Sequence, residues 1–163
     1  MIPPVFEVTA IGKGSLFVMP RPSSEWLEDD VRYFAKLGIT KVLSLMEVQE
    51  ASELGLAKEK AVLQQYGIEF LNFPIRDRGL PKTAALSDLV DALYLEVSSG
   101  QVLAIHCRAG IGRTGILASC LLIKDQYNAQ TAIDMISSAR GISIPDTQEQ
   151  YDFICDFEAG KLS

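Results

Sequence analysis

The sequence predicts an α/β fold, with a central, mostly parallel sheet flanked by helices. Short apolar runs alternate with longer segments whose apolar residues recur at helical spacing, an order typical of parallel strands joined by helices. The chain has 163 residues, a length that fits one hydrophobic core. Of these residues 48% are hydrophobic and 22% charged, the balance of a globular protein. We therefore expect a single domain over residues 1–163.

The first half of the chain is predicted to contain three strands and two helices. In chain order these are a strand over Leu16–Met19, a helix from Ser23 or Ser24 to Gly38, a strand over Lys41–Met46, a helix over 49–66 and a strand over Ile68–Phe73. Either serine can cap the first helix through its hydroxyl, and Gly38 is a common helix end. The prolines and the glycine in Pro74–Pro81, which break regular secondary structure, then predict a loop.

The second half is predicted to be mainly helical around one buried strand. Its elements are a helix over Thr83–Ser99, a strand over Val102–His106, and helices over Thr114–Tyr127, Ala129–Ala139 and Thr147–Glu158. The strand is almost wholly apolar, as expected when both faces are covered. Ligands in such sheets bind at the carboxyl ends of strands, so the turn after His106 is the expected site.

That turn reads His-Cys-Arg-Ala-Gly-Ile-Gly-Arg-Thr-Gly over residues 106–115. Cys107 ends the buried strand, and Arg113 opens the next helix. The five residues between them can curl so that their N–H groups point at one centre: Arg108, Ala109, Gly110, Ile111 and Gly112. Such a nest at a helix N-terminus binds a phosphate dianion, so we predict a phosphate-binding loop between a buried strand and a helix.

The side chains of this turn suit nucleophilic chemistry. The field that binds a phosphate also favours the thiolate form of Cys107, which makes it a strong nucleophile. Arg113 can hold two phosphoryl oxygens with its planar fork, and the hydroxyl of Thr114 is placed to donate to the sulfur. The other cysteines, Cys120 and Cys155, lie on apolar helix faces and are interpreted as packing residues. The Walker pattern GxxxxGK[ST] is absent.

Residues 106–115 match the HCxxGxxR[ST]G signature of the cysteine-based protein tyrosine and dual-specificity phosphatases. The segment Phe73–Pro81 also resembles the general-acid loop of that family, and Gly141–Phe153 resembles the segment leading into its last helix. The likeness extends from Leu16 to Phe157 and is greatest to small, single-domain enzymes of the kinase-associated phosphatase type. It implies phosphate ester hydrolysis through a cysteinyl-phosphate intermediate.

The resemblance also implies roles for residues outside the loop. Asp77, about thirty residues before Cys107, matches the general acid, and His106 is expected to orient the loop rather than act as a base. The residue that positions the hydrolytic water is left open among three candidates, Asp146, Gln148 and Gln150.

Charged residues near these segments suggest how a phosphate is attracted. Local positive potential is expected from Arg76, Arg78 or Arg21, although each can equally be an ordinary surface arginine. Glu47 and Glu50 are candidates to hold Arg108 or Arg21 in place.

Composition excludes several other classes of function. The formal net charge of −6 disfavours nucleic acids and acidic membranes as partners. We expect no membrane span, because no run of 18 apolar residues occurs, and the N-terminus lacks the features of a secretory signal. A cytoplasmic location is therefore expected. A single histidine and three unpaired cysteines predict no metal site and no cofactor.

The expected substrate is a phosphorylated protein or peptide, carrying phosphotyrosine and also phosphoserine or phosphothreonine. A phosphoinositide or inositol-polyphosphate phosphatase is the alternative, since the same signature serves those substrates. It is disfavoured because Arg108 is the single extra cation in the loop. A pseudophosphatase that only binds phosphate is less favoured still, because Cys107, Arg113 and Asp77 are all present.

Overall fold

The computed structural model describes residues 2–160 and contains a five-stranded sheet. Residue 1 and residues 161–163 of the predicted domain lie outside the described residues. The strands are β1 (Phe6–Ile11), β2 (Gly14–Met19), β3 (Lys41–Ser44), β4 (Glu69–Asn72) and β5 (Val102–His106). Their order in the sheet is β1-β2-β5-β3-β4. Strand β1 runs antiparallel to β2 and all other neighbours are parallel, which confirms the predicted mostly parallel sheet.

Seven helices connect or follow the strands in the described chain. They are α1 (Leu27–Lys36), α2 (Val48–Glu53), α3 (Glu59–Gln65), α4 (Thr83–Ser98), α5 (Gly112–Lys124), α6 (Ala129–Arg140) and α7 (Gln148–Glu158). The last four begin and end within a few residues of the predicted bounds. Thr147 caps α7 by accepting from the backbone N–H of Gln150. No helix within residues 2–160 combines the length and apolar character needed to cross a membrane.

Two parts of the fold differ from the sequence prediction. The strand β1 was not predicted, and it forms a hairpin with β2 in which Gly12 adopts a φ of 57°. The predicted helix over 49–66 is broken into α2 and α3 at Gly55, whose φ of 76° ends the first of them. Glycine adopts this left-handed conformation without the steric cost that a Cβ imposes.

Helices cover both faces of the sheet. Side chains alternate across each strand, so Leu103 and Ile105 of β5 contact one apolar cluster while Ala104 contacts the other. The first cluster joins the sheet to helices α4–α7, and the second joins it to α1–α3. The two helical layers bury most residues of the central strands.

The carboxyl ends of the four parallel strands meet at one edge of the sheet. In register, His106 at the end of β5 lies beside Met19 of β2 and Ser44 of β3, and Ser44 lies beside Asn72 of β4. The segments after these strands are therefore neighbours, although they are far apart in the sequence. They include the turn that starts at Cys107 and the loop that contains Asp77.

Candidate active site

The turn between β5 and α5 follows the course that the sequence predicts. Strand β5 ends at His106, and α5 begins at Gly112, one residue before Arg113. Gly110 has a φ of 74°, and a Cβ there would lie 2.6 Å from the carbonyl oxygen of Met19. The turn thus packs directly against the end of β2, and glycine is required both for the backbone conformation and for this close approach.

The turn encloses a small cavity with Cys107 in its wall. Its volume is about 180 Å³, and it is lined by Asp77, Arg78, Cys107, Arg108, Ala109, Ile111, Gly112, Arg113, Asp146 and Gln150. The structure therefore brings together residues from the turn, from the predicted general-acid loop and from the segment before α7. Two of the three candidates for positioning water, Asp146 and Gln150, line the cavity. The third, Gln148, bonds to Asp152 on the outer surface.

The sulfur of Cys107 is hydrogen-bonded to the first turn of α5. The Oγ1 atom of Thr114 lies 3.0 Å from Sγ, and both side chains are buried. A hydroxyl in this position donates to a thiolate and stabilises its negative charge. Cys120, in contrast, is packed inside the first apolar cluster, where burial raises the pKa of its thiol.

Arg113 is buried beneath the cavity, with 2% of its surface exposed. Its Nη1 and Nη2 atoms donate to the two carboxylate oxygens of Glu50, both at 2.8 Å, and Nη1 also donates to the carbonyl oxygen of Ile75 at 2.9 Å. Sequence reasoning proposed Glu50 as a partner of Arg108 or Arg21. In the structure it holds Arg113, and only secondarily Arg108, whose Nε is 3.4 Å away.

This pairing changes the pKa of both groups. Burial acts to lower the pKa of Arg113, but the hydrogen bonds to Glu50 and the surrounding negative charges raise it above its ordinary value. The same hydrogen bonds hold the pKa of Glu50 below its ordinary value of 4.5, against the effect of its burial. Both groups are therefore charged across the neutral range.

Asp77 lies at the rim of the cavity, with 52% of its side chain exposed. Its Oδ1 atom is 3.2 Å from Nη2 of Arg113. Two contacts hold the loop that carries it. Arg78, next to Asp77, forms an ion pair of 2.9 Å with Asp146, and the Nε2 of the buried Gln150 donates to the carbonyl oxygen of Gly79.

His106 is completely buried behind the turn and bonded on both ring nitrogens. Its Nδ1 is 3.2 Å from the carbonyl oxygen of Cys107, and its Nε2 is 2.6 Å from Oε2 of Glu59. A carbonyl oxygen only accepts, so Nδ1 is the donor in the first contact, while Nε2 faces the carboxyl group of Glu59. Both nitrogens are engaged away from the cavity, in keeping with an orienting role.

Sequence reasoning missed two supporting residues, Glu59 and Arg140. Glu59 is the partner of the only histidine in the chain, and its position in a short polar helix gave no sign of burial. Arg140, at the end of α6, donates through Nη2 to the carbonyl oxygen of Ala109 at 2.9 Å and lies over the ring of Phe6. It therefore links the turn between β5 and α5 to the unpredicted strand β1.

The remaining predicted residues lie around the cavity or apart from it. Arg108 is half exposed at the cavity wall, whereas Arg76 is exposed and is not among the residues that line it. The backbone N–H of Arg21 donates to the carbonyl oxygen of Arg108, which places Arg21 beside the turn. Glu47 caps α2. Among residues 2–160, no three His, Cys, Asp or Glu side chains cluster as a metal site requires.

Comparisons with known proteins identify the family of the chain. A family model described as "PTP-SAK: Swiss Army Knife protein, DSP-PTPase phosphatase domain" matches residues 7–152. Protein tyrosine phosphatase domain-containing protein 1 of Mus musculus is 33% identical over 141 residues. The match covers 80% of this chain and 19% of that protein. Cyclin-dependent kinase inhibitor 3 of Sus scrofa is 29% identical over 133 residues, 80% of this chain and 63% of that protein. The chain thus spans less than two thirds of the length of these curated relatives.

The fold is also shared with solved phosphatase structures. A crystal structure of kinase associated phosphatase, with serine in place of its catalytic-site cysteine, superimposes with a TM-score of 0.86 at 22% identity. The match covers 98% of this chain and 96% of that one. The predicted family resemblance and enzyme class are confirmed by the family match: the chain belongs to the protein tyrosine and dual-specificity phosphatase family, as a DSP-PTPase phosphatase domain.

Proposed function

We propose that this domain hydrolyses phosphotyrosine, and also phosphoserine and phosphothreonine, in proteins through a phosphocysteine intermediate at Cys107. The observation that carries the proposal is the position of the Cys107 sulfur, 3.0 Å from the Thr114 hydroxyl in the wall of a small cavity that Arg113 and Asp77 also line. The family match supports the phosphatase class, and the geometry of the cavity supports the roles of its residues.

In the first step Cys107 attacks the phosphorus of the substrate. The bond between Sγ and phosphorus forms as the bond from phosphorus to the ester oxygen breaks. The departing oxygen needs a proton, and Asp77 at the rim of the cavity is placed to supply it. The exposed position of Asp77 suits this task, because the leaving group lies on the solvent side of the phosphate.

Arg113 has enough N–H groups to bind the phosphoryl group while it stays paired with Glu50. Its two Nη1 hydrogens go to Glu50 and the carbonyl oxygen of Ile75, and its two Nη2 hydrogens go to Glu50 and Asp77. The Nε hydrogen is the fifth. A phosphoryl group would accept from Nε and replace Asp77 at Nη2. Binding of the phosphate thus releases the side chain of Asp77 for proton transfer.

In the second step a water molecule attacks phosphorus and the thiolate leaves. Asp77, now without its proton, accepts a proton from that water, and the Thr114 hydroxyl stabilises the departing sulfur. Gln150 and Asp146 line the same cavity and are the residues near enough to orient the water. Inorganic phosphate is then released.

The charges around the cavity favour a substrate with a single phosphate. Its lining contains three arginines and no lysine, and each arginine already has a carboxylate partner: Arg78 with Asp146, Arg108 with Glu50, and Arg113 with Glu50 and Asp77. An inositol polyphosphate would need further unpaired cations around the ring. This balance supports phosphoprotein over the phosphoinositide alternative.

The test is turnover of p-nitrophenyl phosphate in the presence of a metal chelator. We expect hydrolysis that vanadate inhibits, and a loss of at least about 10³-fold in the Cys107→Ser variant. Cys155→Ser is the matched control, because Cys155 is half-buried on α7 away from the cavity, and it should retain activity. Full activity of Cys107→Ser would overturn the mechanism.

Substrate class is tested by measuring kcat/KM for a phosphotyrosine peptide, a phosphothreonine peptide and phosphatidylinositol phosphate vesicles side by side. We expect the peptides to be the better substrates. A preference for the vesicles would overturn the protein assignment while leaving the chemistry at Cys107 intact.

A further inference from the structure

A second cavity adjoins the phosphate-binding turn on the side of β2. It has a volume of about 390 Å³, twice that of the phosphate cavity. Its walls are largely apolar and include Met19, Pro20, Trp26 and Phe34, with Arg21 and Arg108 at the polar side. Nothing in the catalytic steps above uses this cavity.

The two cavities are neighbours at the turn. Arg108 lines both of them. The backbone of Gly110 lies so close to the end of β2 that an added Cβ would be 2.6 Å from the carbonyl oxygen of Met19 and 2.8 Å from the nitrogen of Pro20. Met19 and Pro20 line the second cavity, so the turn that forms the wall of the phosphate cavity packs directly against residues of the second cavity.

The charges at the second cavity point to an anionic peptide. Asp30 is the acidic residue in its wall, and its buried carboxylate accepts from the backbone N–H of Ser23. The carboxylate is therefore used to hold the loop before α1. Arg21 and Arg108 give the lining two positive charges against the single negative charge of Asp30, which favours a negatively charged peptide, and Arg108 keeps its contact with Glu50.

Trp26 contributes an exposed apolar surface to this cavity. Its side chain precedes α1, is 54% exposed, and is the only tryptophan in the chain. Exposed tryptophans beside a binding pocket commonly act as anchors for a partner's apolar side chain. The volume suits one or two side chains and is too small for the paired acyl chains of a phospholipid.

We propose that this second cavity binds an apolar side chain next to the phosphorylated residue of a peptide substrate, packed against Trp26. The inference rests on the proposed function, because the phosphate must be seated at Cys107 for the neighbouring residue to reach the cavity. The domain then selects phosphorylation sites by sequence as well as by phosphate.

Kinetics on a peptide panel test the proposal. Each phosphotyrosine peptide carries one leucine at one of the two positions on either side of the phosphotyrosine, in an otherwise glycine-rich background. At one of these positions leucine should raise kcat/KM about tenfold over glycine, the usual effect of filling an apolar pocket. Trp26→Ala should reduce that preference to about twofold and leave kcat/KM for p-nitrophenyl phosphate unchanged.

Leu95→Ala is the matched control, because Leu95 is 68% exposed on α4 and lines neither cavity. It should keep the full leucine preference. A panel without any leucine preference, or a preference that survives Trp26→Ala, would overturn the proposal. A Trp26→Ala variant that lost activity only on phosphatidylinositol phosphate vesicles would also overturn it in favour of a lipid.

Fluorescence supplies a second readout that does not depend on turnover. In Cys107→Ser, binding of the preferred leucine peptide should change the emission of Trp26, whereas inorganic phosphate should not. Equal changes with the leucine and glycine peptides would contradict the proposal. Failure of the proposed function itself would look different, because wild-type protein would then not hydrolyse p-nitrophenyl phosphate at all.

Discussion

At the scale of single residues, the site depends on side chains that have more than one hydrogen-bonding partner. Thr114 has the simplest task, since its hydroxyl contacts the sulfur of Cys107 and its methyl group packs at the start of α5. A hydrogen bond to a thiolate matters most when the sulfur regains its negative charge, which occurs as the phosphocysteine is hydrolysed. The second chemical step should therefore be the more sensitive to this hydroxyl.

Replacement of Thr114 by valine should slow the second step and leave the first largely intact. We expect kcat for p-nitrophenyl phosphate to fall about tenfold and a burst of about one p-nitrophenol per enzyme to appear. Rapid-mixing kinetics measure both. Thr114→Ser keeps the hydroxyl and should show neither change. Wild-type kcat without a burst in Thr114→Val would show that the hydroxyl has no part in thiolate departure.

At the scale of elements, the turn between β5 and α5 is shaped by how closely it packs against its neighbours. Gly110 contacts the end of β2, and Gly112 contacts Gln150 of α7, where an added Cβ would lie 2.8 Å from the side-chain oxygen. The first of these neighbours is backbone and cannot move without displacing a central strand. The loop geometry is therefore fixed by packing as well as by its own glycines.

Gly110→Ala and Gly67→Ala form a matched pair that separates packing from backbone conformation. Both glycines have a φ near 73°, but a Cβ on Gly67 would meet no atom within 4 Å. Urea unfolding should show a loss of about 1 kcal/mol for Gly67→Ala, with normal activity. Gly110→Ala should lose more stability and at least about tenfold in kcat/KM. Equal effects in the two variants would mean that the turn tolerates a Cβ.

At the scale of the whole molecule, the ion pair between Glu50 and Arg113 joins the two helical layers. Helix α2 lies on the face covered by α1–α3, while α5 lies on the opposite face. The two side chains meet at the edge of the sheet where the parallel strands end. The ion pair therefore stabilises the docking of both helical layers on the sheet.

Glu50→Gln should lower stability in a pH-dependent way. The pKa of Glu50 is held below 4.5, so its ionised pair contributes fully above that pH and is lost as the pH falls through the lower folded value. We expect urea unfolding to show a deficit of about 3 kcal/mol at pH 7, which shrinks as the pH falls below 4.5 and through the lower folded pKa of Glu50. A deficit that is constant with pH would contradict this pairing.

Local signals in the sequence predict most of the fold and the chemistry of the turn. Contacts between distant segments cannot be predicted from such local signals. The apolar strand before Cys107 and the glycines after it are read directly from neighbouring residues. Strand β1 is a half-exposed edge strand without a continuous apolar run, so nothing local marks it. The partners Glu50 and Glu59 lie 63 and 47 residues from Arg113 and His106, and only the docking of α2 and α3 brings them together.

The two helical layers meet at the turn between β5 and α5, so we expect catalytic activity to require that both layers are docked. Arg113 and Thr114 come from one helical layer, whereas Glu50 and Glu59 come from the other. A partly folded chain with either layer detached would retain the cysteine without the groups that hold its loop and its arginine. In a refolding experiment, phosphatase activity should therefore return only when both layers are docked. Activity is then a stricter measure of the native state than secondary structure.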